Sequence, residues 1–303
     1  MENFGTRGSL ELESELENFQ DIASYIKPRP GDIPELRGFD IYGETWPLDG
    51  EVGGDHIIYL DFKKRYDLEA RIALADEQGR TDVAEKLAAC KTRAGIVLVD
   101  VSGHRITDAL LAGMFHQAFL LGALYELDGS GHITERLIEN LNTRFYKSSG
   151  VQKFITMVYG EITEDARFRF ISAGHPPPVV FSRLNDRFMP MSEESYTSCP
   201  PVGTMPSRNV IDRKTTESLL GFKEEYELNE WELMGEGDIL LLYTDGLTEH
   251  GGDDAGYFPE RLEDRIRELK DRDARAIVAG IKDDMLQFHE PDDDISVVVI
   301  KRS

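Results

Sequence analysis

An α+β fold built from largely antiparallel sheets is what this sequence predicts. Apolar, β-branched runs such as Gly95–Val101 (GIVLVDV), Asp238–Tyr243 (DILLLY) and Ile295–Lys301 (ISVVVIK) read as buried strands. Helical stretches are grouped between the strands instead of alternating with them, which disfavours a regular βαβ sheet. The 303 residues are 40% hydrophobic with no low-complexity tract, enough for a sizeable core in one large domain or two ordinary ones.

The elements follow in order. Residues 10–27 predict a helix, because Leu12, Leu16, Phe19, Ala23 and Ile26 form a short heptad seam. Two uses of that seam are open: packing on its own domain, or pairing two chains and relaying a signal. Lys27-Pro28-Arg29-Pro30-Gly31 ends the helix, since proline cannot continue it. Strand-like runs lie around Phe39–Glu44 and His56–Phe62, with Gly50, Gly53 and Gly54 marking tight turns between them. Over 64–92 the period changes, and Leu68, Ile72, Ala75, Val83, Leu87 and Cys90 predict a helical hairpin broken at Gly79. The GIVLVDV strand leads into helices at Thr107–Glu126 and Ile133–Phe145. Lys153–Ile162, Arg167–Ser172 and Pro178–Phe181 read as a strand meander. An irregular stretch from 183 to 235 precedes DILLLY, two amphipathic helices at Pro259–Lys270 and Ala274–Phe288, and the ISVVVIK strand.

A formal charge of −23 disfavours nucleic acid, whose affinity comes from basic side chains, and anionic membranes as well. A phosphorylated substrate would need local positive charge, which a divalent metal held by carboxylates supplies. Cys90 and Cys199 are not in a CxxC pair and read as reduced structural thiols of a cytoplasmic protein. No signal segment opens the sequence. Its most apolar helix-length run, Ala109 to Leu124, carries His116 and Gln117 and reads as a buried helix that falls short of a membrane span.

The chemistry-bearing positions are aspartates beside strands. Asp100 ends IVLVDV, Asp245 follows LLLYT, Asp293 and Asp294 precede ISVVVI, and Asp55 follows Gly53-Gly54. A carboxylate at the rim of a buried strand is costly unless paired or metal-bound. Any one of them reads as a turn former or helix cap. If their strands share a sheet edge, they converge into an oxygen-rich cluster suited to Mg2+ or Mn2+. Spacing leaves both readings open.

Five blocks then occur in order: Glu51-Val-Gly-Gly-Asp55, Asp100-Val-Ser-Gly-His104, Ala173-Gly-His-Pro-Pro177, Gly237 to Glu249 (GDILLLYTDGLTE), and Asp293-Asp-Ile-Ser296. Together they resemble the SpoIIE/RsbU-like branch of the PPM (PP2C-like) phosphatases, from residue 30 or so onward. The resemblance implies a sandwich of two antiparallel sheets flanked by helices. It further implies a metal-dependent protein serine/threonine phosphatase with two or three Mn2+ or Mg2+ ions activating a water. Asp100 would bridge the ions, Asp245 and Asp293 would complete one, and the Val101 carbonyl would help hold the other, with Asp55 binding it directly or through water. Gly54, Gly103, His104, Arg105, Gly246 and Asp294 would surround the ligands or the substrate, with Asp294 a further ligand or an orienter of Asp293. Gly53 and Gly54 would let the backbone turn tightly there.

Alternatives stand beside these roles. His104 reads as a proton donor or a turn former, His175 as a site residue or a strand-turn residue, and Glu249 as a neighbour of the ligands or a first-turn helix carboxylate. The implied substrate is a phosphorylated regulatory protein of the STAS-domain (anti-anti-sigma) type. An upstream activator or sensor, or a homodimer through 10–27, would act through a regulatory segment at 1–30 on a catalytic domain at 31–303. The sequence departs from the family pattern at Arg105, at Asp108, where a small residue is common, and in the helical insertion at 64–92. Arg105 and Asp108 keep open a non-catalytic binding module with a degraded metal site, and a small-phosphoester hydrolase is the other rival.

Sedimentation of Leu16→Glu separates the two uses of the N-terminal seam. A dimer seam predicts that the variant drops to half the wild-type mass, and a helix packed on its own domain predicts no change.

Overall fold

The apolar runs form strands buried on both faces, and this explains why they are continuous instead of alternating. The computed structural model describes residues 14–15, 18–103, 106–148, 153–190, 196–209, 214, 216–232, 235–251 and 256–303. In chain order the strands are β1 (Phe39–Trp46), β2 (His56–Asp61), β3 (Arg93–Val101), β4 (Ile155–Thr163), β5 (Phe168–Ala173), β6 (Val179–Ser182), β7 (Arg187–Phe188), β8 (Ser198–Cys199), β9 (Asn229–Trp231), β10 (Ile239–Tyr243) and β11 (Ile295–Arg302). The helices are α1 (18–24), α2 (Phe62–Arg65), α3 (Leu68–Glu77), α4 (Thr81–Ala89), α5 (Ile106–Ser130), α6 (Glu135–Ser148), α7 (Asp245–Thr248), α8 (Glu260–Leu269) and α9 (Ala274–Phe288).

One sheet runs β1-β11-β10-β6-β7 and the other β2-β3-β4-β5-β8, with β9 also on β5. Pairing is antiparallel except for the short β5–β8 contact. Leu240, Leu242, Val298 and Ile300 join the core between the sheets. Leu241, Val297 and Val299 join an outer core under α8 and α9. Val97, Val99 and Met157 do the same under α5 and α6, with Phe115, Phe119 and Leu137. The result is the expected helix–sheet–sheet–helix sandwich.

Three expectations change. The meander is broken: β4 and β5 are neighbours, but β6 crosses to the other sheet, where Val180 faces Leu240 of β10. Gly174, at φ +65°, and the three prolines after His175 interrupt the ladder there, since proline has no N–H to donate. Secondly, α5 is longer than the Ala109–Leu124 run, and by length and composition alone residues 107–130 could cross a bilayer. Its Phe115, Phe119, Ala123 and Leu127 are instead fully buried in the protein core. Thirdly, the seam at 10–27 has only part of its length within view: Leu12 and Leu16 lie outside the described residues. Within α1, Ala23 is buried, and beyond it Ile26 Cδ1 lies against Gly113 of α5, while Ile22 and Tyr25 stay exposed.

The helical insertion is part of the core. Gly79, at φ +70°, turns the chain between α3 and α4. Val83, Leu87 and Cys90 then join the cluster with α5. Arg80 Nη1 donates to the Asp128 carbonyl at 2.7 Å, and Arg71 pairs with the Asp128 side chain. Both cysteines are free and buried, and burial pushes the Cys90 thiol up to about 12.

Leu87 is 1% exposed, so Leu87→Ala should cost about 2–5 kcal/mol in urea unfolding. A loss below about 1 kcal/mol would show that the insertion is not integral to this core.

Candidate metal centre

Antiparallel register brings the aspartates to one end of the sandwich. His56 of β2 faces Val99 of β3, so Asp55 lies beside the end of β3 that carries Asp100. Tyr243 of β10 faces Val297 of β11, so Asp245 and Asp293 flank the corresponding end of the other sheet. The carboxylates therefore come from two facing sheets, not from one shared edge. Hydrogen bonds across the gap show that these ends meet. Thr244 Oγ1 donates to Asp55 Oδ2 at 2.7 Å, and Gly54 N donates to Asp294 Oδ2 at 2.6 Å.

Asp294 does more than orient Asp293. Its Oδ1 also accepts from Leu48 N at 2.7 Å, so one carboxylate pins both ends of the 48–54 loop that carries Asp55. Asp293 Oδ1 in turn accepts from Asp294 N at 2.8 Å. Thr244 is fully buried, and its hydroxyl accepts from Ser296 N at 2.9 Å while donating to Asp55. The glycines serve close approach. A Cβ at Gly53 would stand 2.1 Å from Asp294 Oδ2, and one at Gly54 only 2.7 Å from the Val101 carbonyl oxygen. Neither has a positive φ, so the expected tight turn is not the constraint; space is. A Cβ at Gly246 would likewise stand 2.2 Å from the Asp294 carbonyl oxygen.

Asp100 Oδ2 accepts from Thr156 Oγ1 at 3.2 Å, and that hydroxyl lies 3.0 Å from His175 Nδ1. His175 is thus buried behind the site and reaches Asp100 through Thr156, while its Nε2 has no hydrogen-bond partner among the described residues. Glu249 is a correction: it caps the C-terminal end of α7, not the first turn, and its charge acts on Asp245. Asp108 is fully buried and pairs with Lys153 at 2.6 Å. His104 and Arg105 lie outside the described residues. Sequence reading missed Thr156, Thr244, Ser296 and Lys153; a hydroxyl or amine within a strand or at its end carries no signal of the distant carboxylate it will meet.

The electrostatics are those of crowded anions. Burial, then the charges of Asp245 and Asp293, push the Asp100 carboxyl up to about 7. Burial raises Asp55 well above the usual carboxylate range, and the Asp100 charge adds to it. Asp245 is raised by burial and by Glu249. Asp294 is raised by burial despite the backbone donors of Leu48, Gly54 and Asp55 on it. An all-oxygen donor set with repelling, partly desolvated carboxyls fits a hard divalent cation. Among the described residues no three of these side chains already enclose one point, so the fit rests on donor chemistry and converging charge.

The family model for stage II sporulation protein E (SpoIIE) matches residues 91–303, beginning beyond Asp55. The phosphoserine phosphatase RsbU of Bacillus subtilis (strain 168) is 24% identical over 216 residues, 70% of this chain. The match spans 56% of RsbU's own length. The SiaA-PP2C domain of Pseudomonas aeruginosa shares the fold, with a TM-score of 0.65 at 14% identity over 98% of this chain and 99% of that one. So does RsbX, solved in complex with magnesium, with a TM-score of 0.52 at 12% identity over 89% of this chain and 98% of that one.

A carboxyl raised on folding binds more protons folded than unfolded, so its contribution to stability falls as pH rises through the folded value. In metal-free buffer, Asp100→Asn should therefore melt above wild type by a few degrees, the gap widening between about pH 5 and about pH 8. A gap that narrows as pH rises would mean that Asp100 is not held against its neighbours' charge.

Proposed function

The chain belongs to the SpoIIE family, and from that premise we propose that it is a metal-dependent phosphatase acting on phosphoserine or phosphothreonine of a regulatory protein. The convergence of Asp55, Asp100, Asp245 and Asp293, the first three with raised carboxyls, is the observation that carries this reading. The magnesium complex of RsbX and the phosphoserine phosphatase activity in RsbU's name support it.

In this reading Asp100, with Asp245 and Asp293, would hold one Mn2+ or Mg2+ ion, and Asp100, with Asp55 and the Val101 carbonyl, would hold a second; a third ion would be an extension of the same site. Such ions, when bound, acidify water and neutralise phosphoryl oxygens. The chain's own groups prepare the place. Thr156 and Thr244 fix the Asp100 and Asp55 carboxylates by hydrogen bonds. Asp294 holds the 48–54 loop closed on the opposite sheet. Hydrolysis by water needs no side-chain nucleophile, and both thiols are buried within the fold. The chain's −23 charge would repel a phosphoprotein elsewhere on the surface, so a cation at this mouth also sets where substrate is accepted.

The substrate we propose is a phosphorylated STAS-domain protein in the cytoplasm. Residues 1–30 would be the regulatory segment, answering an activator, a sensor or a second copy of the chain. Lys27, just past α1, pairs with Glu51 of the loop leading to Asp55 at 2.8 Å, which gives such a segment a physical route to the site.

Phosphate release from a phosphoserine protein tests the reading. Mn2+ should support release, chelator should abolish it, and Asp245→Asn should lower it by about a hundredfold or more. A rate that chelator leaves unchanged removes the metal from the mechanism. Release from small phosphoesters alone favours the small-phosphoester hydrolase, and no release from any phosphoprotein with metal present favours a binding module.

A further inference from the structure

We infer that Lys153 is a positioning residue of the metal centre, which together with Asp108 clamps the Val101–Gly103 turn. The inference rests on the metal reading above and concerns residues outside the ligand set. The turn follows Asp100 directly and carries the Val101 carbonyl. It is tied down on its outer side. Ser102 N donates to the Phe154 carbonyl at 3.1 Å, and Phe154 N donates to Ser102 Oγ at 3.2 Å. Lys153 Nζ donates to the Ser102 carbonyl at 2.7 Å and lies 2.6 Å from Asp108 Oδ1.

Asp108 stands in the first turn of α5 and is fully buried. The Lys153 ammonium is paired with this buried carboxylate, and breaking such a pair is costly, so Lys153 stays where Asp108 holds it. Its ammonium can then act as a fixed donor to Ser102. Gly103 is moulded around the pair. Its φ is +112°, and a Cβ there would stand 2.7 Å from Asp108 Oδ2 and 2.8 Å from Lys153 Nζ. On the inner side the turn meets the Asp55 loop. Val101 N donates to the Gly54 carbonyl at 3.3 Å, and the position a Gly54 Cβ would take is 2.6 Å from the Gly103 carbonyl and 2.7 Å from that of Val101. Any movement of Ser102 is thereby passed to the Val101 carbonyl and to the loop carrying Asp55.

The start of β4 and the residues just before it thus serve the centre twice. Thr156 fixes the Asp100 carboxylate, and Lys153 fixes the turn that follows it. Asp108 is then one half of a device whose other half is Lys153.

Mn2+ binding to the full chain, followed by calorimetric titration beside a thermal melt, tests this with two variants. Lys153→Met should lower the melting temperature and weaken Mn2+ binding by about tenfold to a hundredfold. The double variant Asp108→Ala/Lys153→Met removes both halves of the pair, and its Mn2+ binding should stay as weak as that of Lys153→Met. Wild-type Mn2+ affinity in either variant overturns the clamp and leaves the metal reading standing. Wild-type protein that binds no Mn2+ overturns the metal reading itself, and the clamp with it.

Discussion

One carboxylate holds the two halves of this sandwich together at the mouth where the chemistry would occur. Asp294 leaves the strand end of one sheet and accepts from the backbone of Leu48 and Gly54, in the loop that enters the other. Hydrogen bonds to an ionised acceptor contribute about 1.5–3 kcal/mol each. They act against the mutual repulsion of Asp55, Asp100, Asp245 and Asp293. Without such a seam the repelling carboxylates would push the sheet ends apart, and a cation would have no preset place to join them.

The seam constrains what can stand around it. Gly53 and Gly54 lack side chains because carboxylate and carbonyl oxygens occupy that space. Thr244 must be both donor and acceptor, giving its proton to Asp55 and taking one from Ser296. Behind this polar layer the cores are built mainly of apolar side chains, with β10 and β11 shared between the inner core and the helices outside. The centre is a thin polar rim on a rigid apolar body.

Much of this was legible in the sequence, and the reason is local. Strands buried on both faces write themselves as unbroken apolar runs, so β3, β10 and β11 could be read directly, and the hairpin at 64–92 followed from its change of period. The aspartates were visible because a charge at a strand end is chemically conspicuous. What stayed hidden depends on pairing between distant segments. That β6 crosses sheets, that the carboxylates face each other across the sandwich, and that Thr156, Thr244 and Lys153 each support the site are matters of register, which no single segment encodes. Glu249 misled for a related reason, since α7 is so short that a residue near its start in sequence lies at its end in space.

The length of chain between the partners of the seam has a consequence for how the protein is made. Gly54 and Asp294 are 240 residues apart, and β1 pairs along its whole length with β11. Non-local pairings form slowly, because loop closure must precede any gain from contact. During vectorial synthesis β1 must therefore wait, its β11-facing edge unsatisfied, until β11 has emerged from the ribosome. A chain stalled before that point can build much of the β2–β5 layer with its helices, yet the Asp55 loop would have nothing to close against. β11 thus gates closure of the sandwich, and chains stalled before it would be left with an open sheet edge, the feature that chaperones and proteases meet first.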